Sequence, residues 1–147
     1  MRGYFEIGIY NIKTAINIGT LWRSAYQLGA SGIFTIGKRY SEQASDTVKA
    51  YRHIPMREFL TFDEFCEARP KGARLIGIEM GGKPLSSYSH PEQAIYLLGA
   101  EDSGLPTDIM KQCDNVIAIE TVRIESYNVA VAGSLVMYHR FISRELK

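Results

Sequence analysis

Ala94-Ile95-Tyr96-Leu97-Leu98-Gly99-Ala100-Glu101-Asp102-Ser103-Gly104-Leu105-Pro106 passes from a short uncharged apolar run into a turn bracketed by glycines, and ends on proline. A run this short, ended by turn residues, reads as a strand buried on both faces (Ala94 to Gly99). Pro106 to Cys113 reads as the helix that follows, with proline in its first turn, where no amide donor is missed. The flanking segments repeat the pattern. Arg74 to Met80 and Val116 to Ile119 are apolar strands, and Tyr127 to about Arg144 is the last helix. Upstream, Phe5 to Ile9 and Gly32 to Gly37 read as strands around a helix from Ile16 to Leu28, closed by Gly29 in the left-handed position a helix end needs. Asp46 to His53 reads as a short helix stopped before Pro55. Thr61-Phe62-Asp63-Glu64 is a capping box opening a helix to about Ala68. Strands alternating with helices predict an α/β fold: a mostly parallel sheet with helices on both faces, in which ligands sit at the carboxyl ends of the strands.

The 147 residues are read as one domain spanning 1–147, long enough for an ordinary core. With 46% hydrophobic and 22% charged residues, neither a disordered tail nor a fibrous repeat fits. The longest uncharged apolar run, Val129 to Tyr138, is too short to span a bilayer, so no membrane partner is expected. Met1 to Glu6 shows no long apolar stretch of a secretory signal, which leads to the expectation of a cytoplasmic protein. Cys66 and Cys113 stand 47 positions apart, neither a disulfide framework nor a zinc spacing. His53, His90 and His139 have neither each other nor a cysteine at ligand spacing, so no metal is expected. No Gly-x-Gly-x-x-Gly follows a strand, which excludes the usual dinucleotide fingerprint.

Charge is unevenly distributed. Residues 1–74 hold 11 Lys/Arg against 7 Asp/Glu, whereas residues 75–147 hold 6 against 9. Lys38, Arg39, Lys49, Arg52 and Arg57 lie close together with Tyr40 and Tyr51 among them. Cations interleaved with aromatics suit a phosphate backbone with bases to stack on, although on charge alone a solvated helix face is the better reading.

Three strand-end segments carry chemistry-bearing residues. After the first strand comes Asn17-Ile18-Gly19-Thr20-Leu21-Trp22-Arg23, in which Asn17 is a candidate N-cap and Arg23 lies less than two turns further on. The second is the Gly99 to Leu105 turn, with Glu101 between its glycines. The third is Glu125-Ser126-Tyr127-Asn128, placing Ser126 and Asn128 at or near a helix N-terminus, where free amides favour electron-rich groups. Capping by Ser126 alone would leave Asn128 unexplained as a second polar residue entering an apolar helix.

Together these segments resemble the three signature motifs of the SpoU/TrmH class of SPOUT methyltransferases: Asn-x-Gly-x-x-x-Arg, Gly-x-Glu-x-x-Gly-Leu, and Ser-Leu-Asn opening the last helix. Here they read Asn17-Ile-Gly19-Thr-Leu-Trp-Arg23, Gly99-Ala-Glu101-Asp-Ser-Gly104-Leu105 and Ser126-Tyr-Asn128, in order along nearly the whole chain. Two positions depart: Tyr127 replaces the usual leucine, and Ile119-Glu120-Thr121 lacks the proline common there. The resemblance implies a C-terminal trefoil knot, a homodimer, and transfer of a methyl group from S-adenosylmethionine to a ribose 2′-hydroxyl of RNA, with tRNA favoured over rRNA. It implies cofactor contacts from Ile78, Gly99, Ile119 and Ser126, joined by Glu79, Gly81, Leu98 and Tyr127. Arg23 takes the place of the family's catalytic arginine, and Asn17, Glu101, Ser126 and Asn128 would orient the arginine, the loop and the acceptor ribose. With RNA implied, Lys38, Arg39, Lys49, Arg52 and Arg57 become candidate backbone contacts. The alternative is a non-catalytic RNA-binding or assembly protein on the same scaffold.

Overall fold

The computed structural model describes residues 3–37, 53–100 and 103–146. Six strands, β1 (Tyr4–Tyr10), β2 (Gly32–Ile36), β3 (Met56–Phe59), β4 (Arg74–Pro84), β5 (Gln93–Leu98) and β6 (Asn115–Ala118), form one sheet in the order β3-β2-β1-β5-β4-β6. Every pairing between them is parallel. Helices α1 (Ala15–Gln27), α2 (Phe62–Ala68), α3 (Thr107–Met110) and α4 (Val129–Arg144) complete the elements, with one 3-10 turn at Leu85–Ser87.

Alternation within the central strands sends side chains to two cores. Tyr96 and Leu98 face one, with Ile7, Ile9, Ile18, Leu21, Val136 and Met137. Ile95 and Leu97 face the other, with Phe34, Phe65, Leu75, Leu105 and Ile109. Because both faces are covered, Ala94 to Leu98 in β5 is apolar at every position and shows no polar alternation. In the second core the Phe34 ring stacks on Phe65 at 4.7 Å. Cys66 and Cys113 pack against this core, and burial raises both thiols, Cys113 to about 11, so neither is an activated nucleophile.

Five boundaries differ from the sequence reading, each for a physical reason. β3 has no counterpart in the sequence pattern, because Met-Arg-Glu-Phe is an edge strand paired only with β2 and half-exposed. β4 continues past Met80 to Pro84 after a bulge: Ile78 and Lys83 both stand opposite Ile117, so the four residues between them loop out. The N-cap of α1 is Thr14, and Asn17 is a buried residue of the first turn. α3 ends at Met110 and its N-cap is Pro106; Asp114 is tied to β4, its carboxylate accepting from Leu75 N at 2.8 Å, and the chain must leave the helix to reach it. α4 begins at Val129, capped by Asn128 and not by Ser126. Gly29 does take the left-handed conformation, at φ +89°. Thr61 caps α2 by accepting from Glu64 N at 3.1 Å. The expected helix over Asp46 to His53 lies almost wholly outside the described residues.

His90 and His139, 49 positions apart in sequence, meet in space. His90 Nε2 and His139 Nδ1 are 2.8 Å apart, and His90 Nδ1 is 2.7 Å from the Tyr96 hydroxyl. Arg140, which can only donate, reaches the same hydroxyl at 3.1 Å. The Tyr96 proton therefore points to His90 Nδ1, leaving His90 Nε2–H to donate to His139. Burial, with three neighbouring cationic or titratable groups, lowers His90 to about 3. No group that could hold a metal ion occurs among the described residues, and no helix there is long and apolar enough to cross a membrane.

Candidate functional site

Parallel strands β4, β5 and β6 end on the same side of the sheet, and a cavity of about 420 Å³ opens there. Its lining includes Ile78 and Glu79 where β4 enters its bulge, Leu98 and Gly99 at the end of β5, and Ile119, Ser126 and Tyr127 from the segment joining β6 to α4. Seven of the eight residues implicated in cofactor contact thus surround one cavity. The eighth, Gly81, lies in the β4 bulge outside the lining. Sequence reasoning did not single out Met80, Met110, Thr121, Glu125, Val129 or Ala132, which also line it. The two from α4 were hidden in a uniformly apolar helix start, and Met110 gave no signal at all.

The turn after β5 is held from β4. Glu79 Oε2 accepts from Leu105 N at 2.8 Å, and Oε1 accepts from its neighbour Met80 N at 2.9 Å. Gly104 adopts φ +64° directly beneath this carboxylate, and a Cβ there would collide with it. Ala100 and Gly104 bridge across the turn, and Gly104 N donates to Ala100 O at 2.8 Å. This folds Gly99 onto the Gly104–Leu105 backbone so closely that any side chain at 99 would strike main-chain atoms. Glycine is required here by close approach. Glu101 lies outside the described residues.

Asn17 and Asn128 are 111 positions apart, yet Asn128 Nδ2 donates to Asn17 Oδ1 at 3.1 Å. Asn128 Oδ1 meanwhile accepts from Ala130 N at 2.9 Å and Val131 N at 3.2 Å. One amide therefore caps α4 and joins its start to the first turn of α1. Neither asparagine lines the cavity, and nor does Arg23, which stands on the exposed face of α1. The exposed side of the adjoining α4 carries Val131, Leu135, Tyr138 and Ile142, an apolar stripe at helical spacing.

The segment between β6 and α4 is tied at its base. Tyr127 Oη donates to the Glu120 carbonyl at 2.7 Å, and the Glu120 carboxylate accepts from both the hydroxyl and the amide of Ser86. The Ser86 hydroxyl holds the Glu120 carboxyl below the ordinary carboxylate range. Ser126 Oγ donates weakly to Met80 Sδ at 3.6 Å. Between these ties Val122 and Ile124 are each 95% exposed.

Of the five basic candidates, Lys38, Arg39, Lys49 and Arg52 lie outside the described residues. Arg57 on β3 is engaged by Glu6 of β1, its Nη2 lying 2.9 and 3.1 Å from the two carboxylate oxygens. Glu6 is 6% exposed, so this pair compensates a buried charge.

The model of the SpoU rRNA Methylase family matches residues 4–138. An uncharacterised tRNA/rRNA methyltransferase of Archaeoglobus fulgidus is 29% identical over 142 residues, covering 92% of this chain and 63% of that protein. A counterpart in Mycobacterium bovis is 26% identical over 141 residues, covering 89% and 43%. The chain thus spans roughly two-fifths to just under two-thirds of the length of these curated relatives. Among solved structures, the SpoU methyltransferase AviRb from Streptomyces viridochromogenes superposes with a TM-score of 0.88 at 19% identity, covering 99% of this chain and 62% of that one. The AdoMet-bound rRNA methyltransferase from Sinorhizobium meliloti gives 0.85 at 20%, covering 98% and 58%. A third, solved for the 2-OH methylation of C/U34 on tRNA, gives 0.86 at 23% and covers 99% of both chains. At these identities the likeness establishes the fold.

Proposed function

Because the chain belongs to the SpoU rRNA methylase family, we propose that it is an RNA methyltransferase that transfers a methyl group from S-adenosylmethionine to a ribose 2′-hydroxyl, with tRNA as the favoured substrate. The observation that carries this reading is the cavity at the strand ends, walled by segments from two of the three motifs while the third anchors α4 beside it. Its residues suit the cofactor chemically. Ile78, Leu98, Leu105, Ile119 and Val129 offer apolar walls to a flat heterocycle, and the 99–105 turn offers main-chain groups to its edge. Glu79, Gly81, Gly99, Ser126 and Tyr127 complete the set assigned to holding it, and the Glu125 carboxylate supplies negative charge for a cationic ligand.

S-adenosylmethionine, when bound, supplies a methyl group already activated by its sulfonium. The chain's contribution is then alignment of the acceptor oxygen and help with loss of its proton. A guanidinium titrating above about 12 is a poor base at neutral pH. Arg23 accordingly stabilises the developing alkoxide or grips the neighbouring phosphate with its fork. Asn17 and Asn128 set the relation of α1 to α4 and hence of Arg23 to the cavity, with Glu101 and Ser126 orienting the loop and the ribose.

Arg23 does not line the cavity of its own chain, and the exposed apolar stripe on α4 lies on the neighbouring helix. Both features support a homodimer closing on this face, with the C-terminal segment threaded as the family's trefoil knot. Lys38, Arg39, Lys49 and Arg52 remain assigned to the RNA backbone, whereas Arg57, being engaged by Glu6, has less to offer it. The complete two-way coverage with the solved chain concerned with tRNA supports the choice of tRNA. The test is to incubate the protein with labelled cofactor and unmodified tRNA or rRNA in separate reactions. Label in tRNA is expected; label confined to rRNA would overturn the substrate assignment, and label in neither would favour a binding protein on this scaffold.

A further inference from the structure

The two positions where the chain departs from the family pattern are bonded to each other. Tyr127 Oη reaches back across seven residues to the Glu120 carbonyl at 2.7 Å, and the Glu120 side chain is anchored on Ser86, in the turn that follows β4. A leucine at 127 could make no such bond, and a proline at 120 would have no carboxylate for Ser86. The ties act in series: Ser86 fixes residue 120, and residue 120 fixes residue 127. Ile119 and Tyr127, at the two ends of the tied segment, both line the cavity, as does Thr121 between them. The segment makes no regular secondary structure, so little else among its described contacts fixes its shape.

We infer that Ser86, Glu120 and Tyr127 form a clasp that holds the 119–127 segment in place as the outer wall of the cavity, and that the clasp sets how long a bound cofactor remains. The inference rests on the cavity being the cofactor site. In this role Tyr127 and Glu120 are positioning residues: they act on the ligand by fixing the wall and need not touch the reacting atoms. Because the ties are in series, cutting either one frees the wall, and cutting both does little more. That distinguishes a clasp from two independent stabilising contacts, whose effects would multiply.

The test measures equilibrium binding and dissociation rate of S-adenosylhomocysteine for the full chain and for Tyr127→Phe, Glu120→Ala, and the double variant. Tyr127→Phe keeps the ring and removes only the donor. The expected result is affinity weakened about three- to tenfold in each single variant, as one modest hydrogen bond allows, through faster dissociation. The double variant should match the singles. Glu120→Gln, which can still accept from Ser86, should restore most of the loss, and KM for S-adenosylmethionine should rise more than kcat falls. Wild-type affinity and dissociation rate in both single variants, or multiplying effects in the double, would overturn the clasp while leaving the cofactor site standing. Failure of the wild type to bind would remove both the clasp and the cofactor assignment.

Discussion

Replacing Asn128 separates two functions that the structure places on one side chain. Its Oδ1 caps α4 through Ala130 N and Val131 N, while its Nδ2 bonds Asn17 Oδ1 on α1. Loss of an asparagine cap costs about 1 kcal/mol. Loss of the bond to the buried Asn17 adds about another 1 kcal/mol. Asn128→Ala should therefore destabilise by roughly 2 kcal/mol, lowering Tm by about 6 °C for a domain near this size. Asn128→Asp retains an oxygen for the cap and adds a charge that the helix dipole favours, by roughly 0.5 kcal/mol. It also replaces the donor facing Asn17 with an oxygen, so it should fall between wild type and Asn128→Ala, near 1 kcal/mol. Asn17→Ala removes the bond and spares the cap. Thermal unfolding followed by circular dichroism at one protomer concentration, together with the Asn17→Ala/Asn128→Ala double variant, provides the assay. The double should be less destabilised than the sum of the singles by about 1 kcal/mol. Strict additivity, or Asn128→Asp falling as far as Asn128→Ala, would refute the division into cap and bridge.

The His90 network predicts a pH dependence. His90 is held near 3 in the folded chain against an ordinary 6.5, so the unfolded chain takes up a proton the folded one refuses. Stability should be full above about pH 6.5 and decline as pH falls towards 3, with this group contributing at most about 1.4 kcal/mol per pH unit. Urea midpoints from pH 7 to 4.5 should fall less steeply for His90→Phe, and an identical slope would contradict the tautomer chain. Gly99→Ala places a methyl against the Gly104–Leu105 backbone. It should abolish binding of S-adenosylhomocysteine while far-ultraviolet circular dichroism stays native, and retained affinity would show that the turn does not shape the site. Arg57→Ala leaves Glu6 buried without its cation and should cost about 2 kcal/mol. The pair Glu6→Gln/Arg57→Met should recover part of that loss in chemical denaturation; no recovery would argue against charge compensation. Arg23→Lys should lose most turnover if the guanidinium fork is what acts, and near-normal kcat would exclude the bidentate role.

The sequence was most informative where burial on both sides made the pattern simple. Ala94 to Leu98 is apolar at every position because cores lie on both faces of β5, and the glycines after it announce a turn that no other residue could make. It was least informative where a neighbour decides the outcome. Met56–Phe59 carries no strand pattern of its own, because its strand status comes from pairing with β2. Asn17 looks like a cap, since that is what asparagine near a helix start usually does. Its partner is a side chain 111 residues away, and no local rule reaches so far. Asn128 was left unexplained beside Ser126 for the converse reason: α4 opens at Val129, and Asn128, not Ser126, is its cap. His90 and His139 are separate in sequence and adjoining in space. Tyr127 and Glu120 could each be noted as unusual, but only the fold shows that one binds the other.

The central claim is that the chain transfers a methyl group to a ribose oxygen, with Arg23 acting at that step and not in cofactor binding. Its most direct test is a single-turnover reaction with labelled S-adenosylmethionine and unmodified tRNA, run with wild type and Arg23→Ala at equal cofactor occupancy. The products are digested to nucleosides and the label located. Label in 2′-O-methyl nucleosides from the wild type, and none from Arg23→Ala, is the predicted result. Label on a base, or undiminished ribose label in the variant, would contradict it.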